Sequence, residues 1–159
     1  LKAIEMEPTY EEAYYLLGLT FKDQSKYEEA IKHFRKAIKL DPDYQGAWQE
    51  LGSILVKFDE TRDEGIECLE KAIDIDYDDP NAGWAMIYLA KTYELNDQEK
   101  KADEAYQKAI EMFYDYPEAY KWYMDFLDHR GRKLEAESIY QKAIEKFTDD
   151  PEVHKWRAS

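Results

Sequence analysis

A chain of 159 residues is long enough to bury one core of ordinary size. Its 36 acidic and 22 basic residues leave a formal charge of −14, which argues against nucleic-acid binding, because that rests on Lys and Arg neutralising phosphates. No run of about 18 apolar residues occurs, so no membrane span is expected, and the single cysteine, Cys68, excludes an internal disulfide.

In chain order, the opening Leu1-Lys2-Ala3-Ile4-Glu5 lacks the basic-then-apolar pattern of a signal peptide. It also lacks an initiator Met, so a fragment of a longer protein is expected. Residues 1–7 read as the second helix of a hairpin closed by Pro8. Helical units then begin near Glu11, Gln45, Gly83 and Pro117, and a further helix opens at Pro151. The tripeptide Lys-Ala-Ile marks the second helix each time, with its alanine at Ala3, Ala37, Ala72, Ala109 and Ala143. A period near 34 residues is the mark of a helical repeat.

Other columns follow the same period. A small residue recurs at Ala30, Gly65, Ala102 and Ala136, with a large one four later at Phe34, Leu69, Tyr106 and Tyr140. The first helices carry Leu17-Gly18, Leu51-Gly52, Leu89-Ala90 and Tyr123-Met124. Spacings of three, four and seven place these side chains on one helix face. Small residues let helices approach closely, and large ones fill the space between pairs, so units stack over a shared core. The linkers inside units are short and polar (24–26, 96–98, 130–132), with one extra residue near 59–62. Pro80 and about three extra residues before the third unit predict that its first helix is longer by roughly a turn.

Tyr14, Leu17, Gly18, Phe21, Ala30, Phe34, Ala37 and Pro42 occupy the signature places of the tetratricopeptide repeat (TPR), and the chain resembles that family over nearly its whole length. The resemblance implies an all-α fold, a right-handed α-α superhelix of antiparallel helix pairs. It implies one solenoid over 1–159: a partial repeat at 1–10, repeats at about 11–44, 45–82, 83–116 and 117–150, and a partial repeat at 151–159. Trp122-Tyr123, Phe126 and the run from Ala136 to Ala143 are also similar to the half-a-TPR repeats of RNA-processing assemblies, although Leu127 and Glu137 depart from that pattern.

In TPR proteins the first helices line a concave groove. The resemblance therefore assigns to that groove Glu12, Tyr15, Leu16, Leu19, Lys22 and Asp23; Gly46, Gln49, Glu50, Ser53, Val56 and Lys57; Trp84, Ile87, Tyr88, Lys91, Glu94 and Leu95; Glu118, Lys121, Trp122, Asp125, Asp128 and His129; and Glu152, Lys155 and Trp156 of the last helix. Tyr15 and Leu19 stand where chaperone-binding TPR domains place the Lys and Asn that grip a carboxylate, and Glu50 stands at a second Asn place. Acidic chaperone tails are therefore not the expected partner. Tyr88, Trp122 and Trp156 share one column, with Trp84 a turn ahead of Tyr88. Such aromatics could clamp a partner segment or pack between adjacent first helices; Trp84, outside every core column, leans to the groove. The candidate partner-binding residues are Tyr15, Trp84, Tyr88, Lys91, Lys121, Trp122, Asp125 and Trp156.

Catalysis has no candidate. His33, His129 and His154 lack metal-site spacing, and the carboxylates at 76–79 and 149–150 fall where helices begin and cap free N–H groups. Cys68, beside Ile66 and Leu69, reads as a core thiol. No cofactor or metal is expected. The expected function is a scaffold or adaptor that binds a peptide or helix of a protein partner, in an intracellular setting. The alternative is a structural or self-associating segment of a large assembly, RNA-processing among the candidates.

Overall fold

The computed structural model describes residues 10–113 and 115–156. Among them are nine α-helices: α1 (Glu11–Asp23), α2 (Tyr27–Leu40), α3 (Gln45–Leu55), α4 (Arg62–Ile75), α5 (Pro80–Leu95), α6 (Glu99–Met112), α7 (Pro117–His129), α8 (Lys133–Lys146) and α9 (Pro151–Lys155). Neighbouring helices pack in pairs, as expected: α1 on α2, α3 on α4, α7 on α8. The helix expected at 1–7 and the last three residues lie outside the described residues. The chain forms two compact units, Leu1–Leu89 and Ala90–Ser159.

The turns inside the hairpins follow from backbone hydrogen-bond needs. A helix end leaves four carbonyls unmet. At the end of α1, Lys26 N–H bonds Phe21 O and Ser25 N–H bonds Lys22 O, both at 2.9 Å. This is a Schellman closure, and it puts one residue in the left-handed region. Gln98 to Tyr93 and Asp97 to Glu94 repeat it after α5, and Arg132 to Leu127 and Gly131 to Asp128 repeat it after α7. The left-handed residues are Ser25, Asp97 and Gly131, with φ of 58°, 53° and 73°. The extra residue of the second hairpin removes this solution. There a 3-10 turn at Asp59–Thr61 intervenes, and the Thr61 hydroxyl caps Leu55 O at 2.8 Å.

Aspartates build several of the turns between hairpins. Asp41 and Asp76 accept from the N–H two residues on, at 3.0 and 3.1 Å. Asp79 and Asp150 do the same for Asn81 and Glu152 at the starts of α5 and α9, so these carboxylates cap helices. Gln45 closes a longer circuit: its buried amide donates to Ala72 O at 2.7 Å and Asp76 O at 2.6 Å, meeting carbonyls at the end of α4. At 16 residues, α5 exceeds the 13 of α1 and α7, and Pro80 stands at its first position.

In the first unit the small column works by close approach. A Cβ on Gly18 would lie 2.4 Å from the Phe34 ring, and one on Gly52 would lie 2.7 Å from Leu69. Phe34, Leu69, Ile54 and Leu55 are fully buried as a result. In the second unit tyrosines take over. The ring of Tyr106 stacks on Tyr123 at 5.8 Å and packs on Phe126 at 5.2 Å. The Tyr123 hydroxyl donates to Asp103 at 2.8 Å and accepts from Gln107 at 3.0 Å. Arg132 donates to Glu135 at 2.6 Å and to Asp103 at 3.3 Å, and these hydrogen bonds, Glu135 first, push its pKa above the ordinary arginine value against the opposing effect of burial.

Candidate functional site

In the first unit the α3 part of the stripe expected on the groove is mostly buried, covered in part by side chains of α1. Tyr15 lies across Gly46, whose Cβ would meet the phenol ring at 3.2 Å, and packs on Tyr44 at 5.1 Å and Phe34 at 5.9 Å. Burial, with Glu50 second, pushes the Tyr15 phenol up to about 12. Lys22 pairs with Glu50 and donates to the Ser53 hydroxyl at 3.2 Å. Gly46, Gln49, Ser53, Val56 and Ile87, expected on the groove, are buried. The cause at Gly46 and Ser53 is that side chains of α1 reach over α3. Trp84 and Tyr88 belong to this unit and are half-buried.

A cavity of about 440 Å³ opens elsewhere in the first unit, lined by Ile38, Trp48, Leu51 and Cys68 and rimmed by Arg35 and Glu64. Arg35 and Glu64 pair at 2.7 Å. Cys68 is 4% exposed, and burial, with Glu64 second, pushes its thiol up to about 12. That is the core thiol expected, since only the thiolate is reactive.

The second unit leaves its stripe open. Lys91, Glu94 and Leu95 line up on the last turns of α5, and Trp122, Asp125, Phe126 and His129 on α7. Both sets follow the three-and-four spacing of one helix face. With Tyr106 of α6 beneath, they enclose a hollow of about 360 Å³. Lys91 Nζ lies over the Trp122 ring, 4.3 Å from its centroid. Loss of water pushes that ammonium below the ordinary lysine value, against the opposing pull of Glu94. Trp122 also packs on Tyr116 at 5.9 Å, which in turn meets Phe113 at 5.3 Å.

Three of the expected residues, Lys91, Trp122 and Asp125, therefore line one hollow. Lys121 stands beside it, paired with Asp125 at 3.8 Å. Trp156 is half-buried just after α9. The sequence columns place Tyr106 in the core alone, and it is core, but its hydroxyl also donates to Glu94 at 2.9 Å. Its pKa is raised by burial first, then by Glu94. The signal was present: Glu94 belongs to the groove stripe, and Tyr106 holds a column filled by Phe34 and Leu69 in the first two repeats.

Among the described residues no group of three or more His, Cys, Asp or Glu could hold a metal ion, and no helix is long and apolar enough to cross a membrane. Residues 11–44, 46–79 and 100–151 each match family models described as tetratricopeptide repeat. Anaphase-promoting complex subunit 3 of Schizosaccharomyces pombe is 30% identical over 111 residues, 70% of this chain and 16% of that protein. The chain spans 16% of the length of the curated relatives it matches. The crystal structure of MamA is similar with a TM-score of 0.76 and 28% identity, over 93% of this chain and 84% of that one. YrrB, described as a TPR protein with an unusual peptide-binding site, has a TM-score of 0.71 over 98% of this chain and 78% of its own, and at 22% identity it shares the fold. The signature columns, the paired helices and these likenesses together show that the chain belongs to the tetratricopeptide repeat family.

Proposed function

We propose that the chain is a protein-binding scaffold, not an enzyme, which holds a peptide or helix of a partner on the first-helix face of its second unit, around Trp122. TPR proteins generally mediate protein–protein interaction. The observation that carries the finer reading is the 360 Å³ hollow, where Lys91, Trp122 and Asp125 converge over an apolar floor of Phe126. An aromatic anchor beside a partly dehydrated polar rim is the composition of an interface hot spot. The corresponding face of the first unit is occupied by its own Tyr15 and Lys22. With a partner isolated on the full-length chain, Trp122→Ala is expected to weaken binding by about thirtyfold, the effect of losing about 2 kcal/mol at an anchor. Circular dichroism and melting are expected to change little. Unchanged affinity would end this reading.

The likeness to a subunit of a multiprotein complex favours a second reading, in which the segment is a structural piece of an assembly. Light scattering across concentration tests its self-associating form, which a concentration-independent monomer would count against.

A further inference from the structure

Resting on that docking reading, we propose that the hollow between α5 and α7 takes a cationic side chain next to an aliphatic one, as a basic amphipathic segment of a partner protein presents them. The indole of Trp122 already holds a cation, the Lys91 ammonium 4.3 Å from the ring centroid. The cost of that placement shows in Lys91, whose charged form is disfavoured by loss of water. A guanidinium is more weakly hydrated than an ammonium and stacks on aromatic rings, so an arginine suits this face better than its resident lysine.

Two carboxylates wait in the same hollow. Glu94 is oriented by the Tyr106 hydroxyl at 2.9 Å, with His129 Nδ1 4.0 Å from its other oxygen. Asp125 meets Lys121 at 3.8 Å in a half-exposed pair of the kind that contributes little. An incoming guanidinium can displace the Lys91 ammonium from the ring and pair with either carboxylate. An acidic side chain could pair with Lys91 or Lys121, but only at the side of both carboxylates. For the neighbouring aliphatic residue, Leu95 is 76% exposed at the rim and Phe126 is buried at the floor. The formal charge of −14 adds long-range attraction for a basic segment.

The test uses two fluorescein-labelled, amidated probe peptides of about twelve residues. They share one leucine face and carry either arginine or glutamate at the flanking positions. Each is titrated by anisotropy against the full chain at about 0.15 M salt. The arginine probe is expected to bind at least about tenfold more tightly than the glutamate probe. Asp125→Asn is expected to weaken the arginine probe about three- to tenfold, whereas Asp149→Asn, the same charge change on an exposed loop, moves it less than about twofold. Lys91→Met, which takes the ammonium off the indole, is expected to tighten the arginine probe. Equal affinity for the two probes, equal losses from the two asparagine variants, or weaker arginine-probe binding with Lys91→Met would overturn the proposal. An isolated partner whose binding falls with Trp122→Ala yet ignores Asp125→Asn leaves the docking reading standing and removes this one. A partner indifferent to Trp122→Ala removes the docking reading itself.

Discussion

Gly18 and Gly52 bring the helices of the first unit against Phe34 and Leu69, whereas the equivalent places in the second unit hold Ala90 and Met124 beside Tyr106 and Tyr140. Glycine lets backbones close until an apolar side chain fills the gap, and that packing needs no polar partner. The bulkier second unit fills its gap with phenols, and a buried phenol must place its hydroxyl. Tyr106 does so on Glu94, and Tyr123 on Asp103. The same repeat is thus built once on shape and once on hydrogen bonds. The difference reaches the candidate site: the second unit's interior hydroxyl ties down Glu94 at the edge of its hollow, while in the first unit Tyr15 closes the corresponding face.

The largest effect should come from emptying the shape-built core. Phe34→Ala is expected to cost about 3–5 kcal/mol, since Gly18 opposite it has no side chain with which to refill the space. Tyr106→Phe removes only the hydroxyl and is expected to cost about 1–2 kcal/mol. Urea unfolding followed by circular dichroism compares the two. Equal losses, or a neutral Tyr106→Phe, would erase the distinction between the units.

A smaller effect tests what the units have in common. Ser25 is a non-glycine residue in the left-handed region, a conformation that costs a side chain about 1–2 kcal/mol. Ser25→Gly is expected to stabilise by up to about 1 kcal/mol. Asp97→Gly should gain less, because Arg130 lies 3.4 Å from the Asp97 carboxylate and loses that partner. A larger gain at Asp97 would show that the pair contributes nothing.

The smallest effect is one of pH, in the first unit. His33 packs roughly at right angles to the rings of Tyr14 at 6.1 Å and Phe21 at 5.1 Å, and its Nδ1 is buried. Burial first, then Lys36 and Lys32, hold its pKa below the ordinary value of 6.5, with Glu29 opposing. The unfolded chain therefore takes up the proton first, near 6.5. Stability contributed by neutral His33 is complete above that value, declines as pH falls through it, and levels off once the folded imidazole titrates. His33→Phe should flatten this part of the urea midpoint's pH profile. An unchanged slope would assign it to other groups.

The helix pairs were legible because Lys-Ala-Ile and the small-residue columns are local, periodic and dictated by packing. The longer α5 was legible too, from Pro80 and the residues inserted before it. Several things that hold the hairpins were not. Gln45 looks like an ordinary polar residue at a helix start, and only the return of α4 brings the carbonyls of Ala72 and Asp76 to it. Ser25 and Asp97 adopt the left-handed conformation that Gly131 advertises, because the Schellman hydrogen bonds repay the strain. The site was half legible. The column logic named Lys91, Trp122 and Asp125, but a column cannot reveal that Gly46 would be covered by Tyr15, since that depends on how closely α3 approaches α1.

Cys68 lies in the first unit against the α3–α4 core, 4% exposed and with its thiol pushed up to about 12. An alkylating reagent needs contact with a thiolate; at neutral pH the raised pKa leaves little of it, and the sulfur is reached by way of the cavity it lines with Ile38, Trp48 and Leu51. Labelling of the folded chain is therefore expected to be slow and to quicken whenever that cavity widens. Because no other cysteine in this sequence competes for the reagent, the rate of modification reports motions of the helices around the cavity, making the thiol a ready-made clock for local breathing.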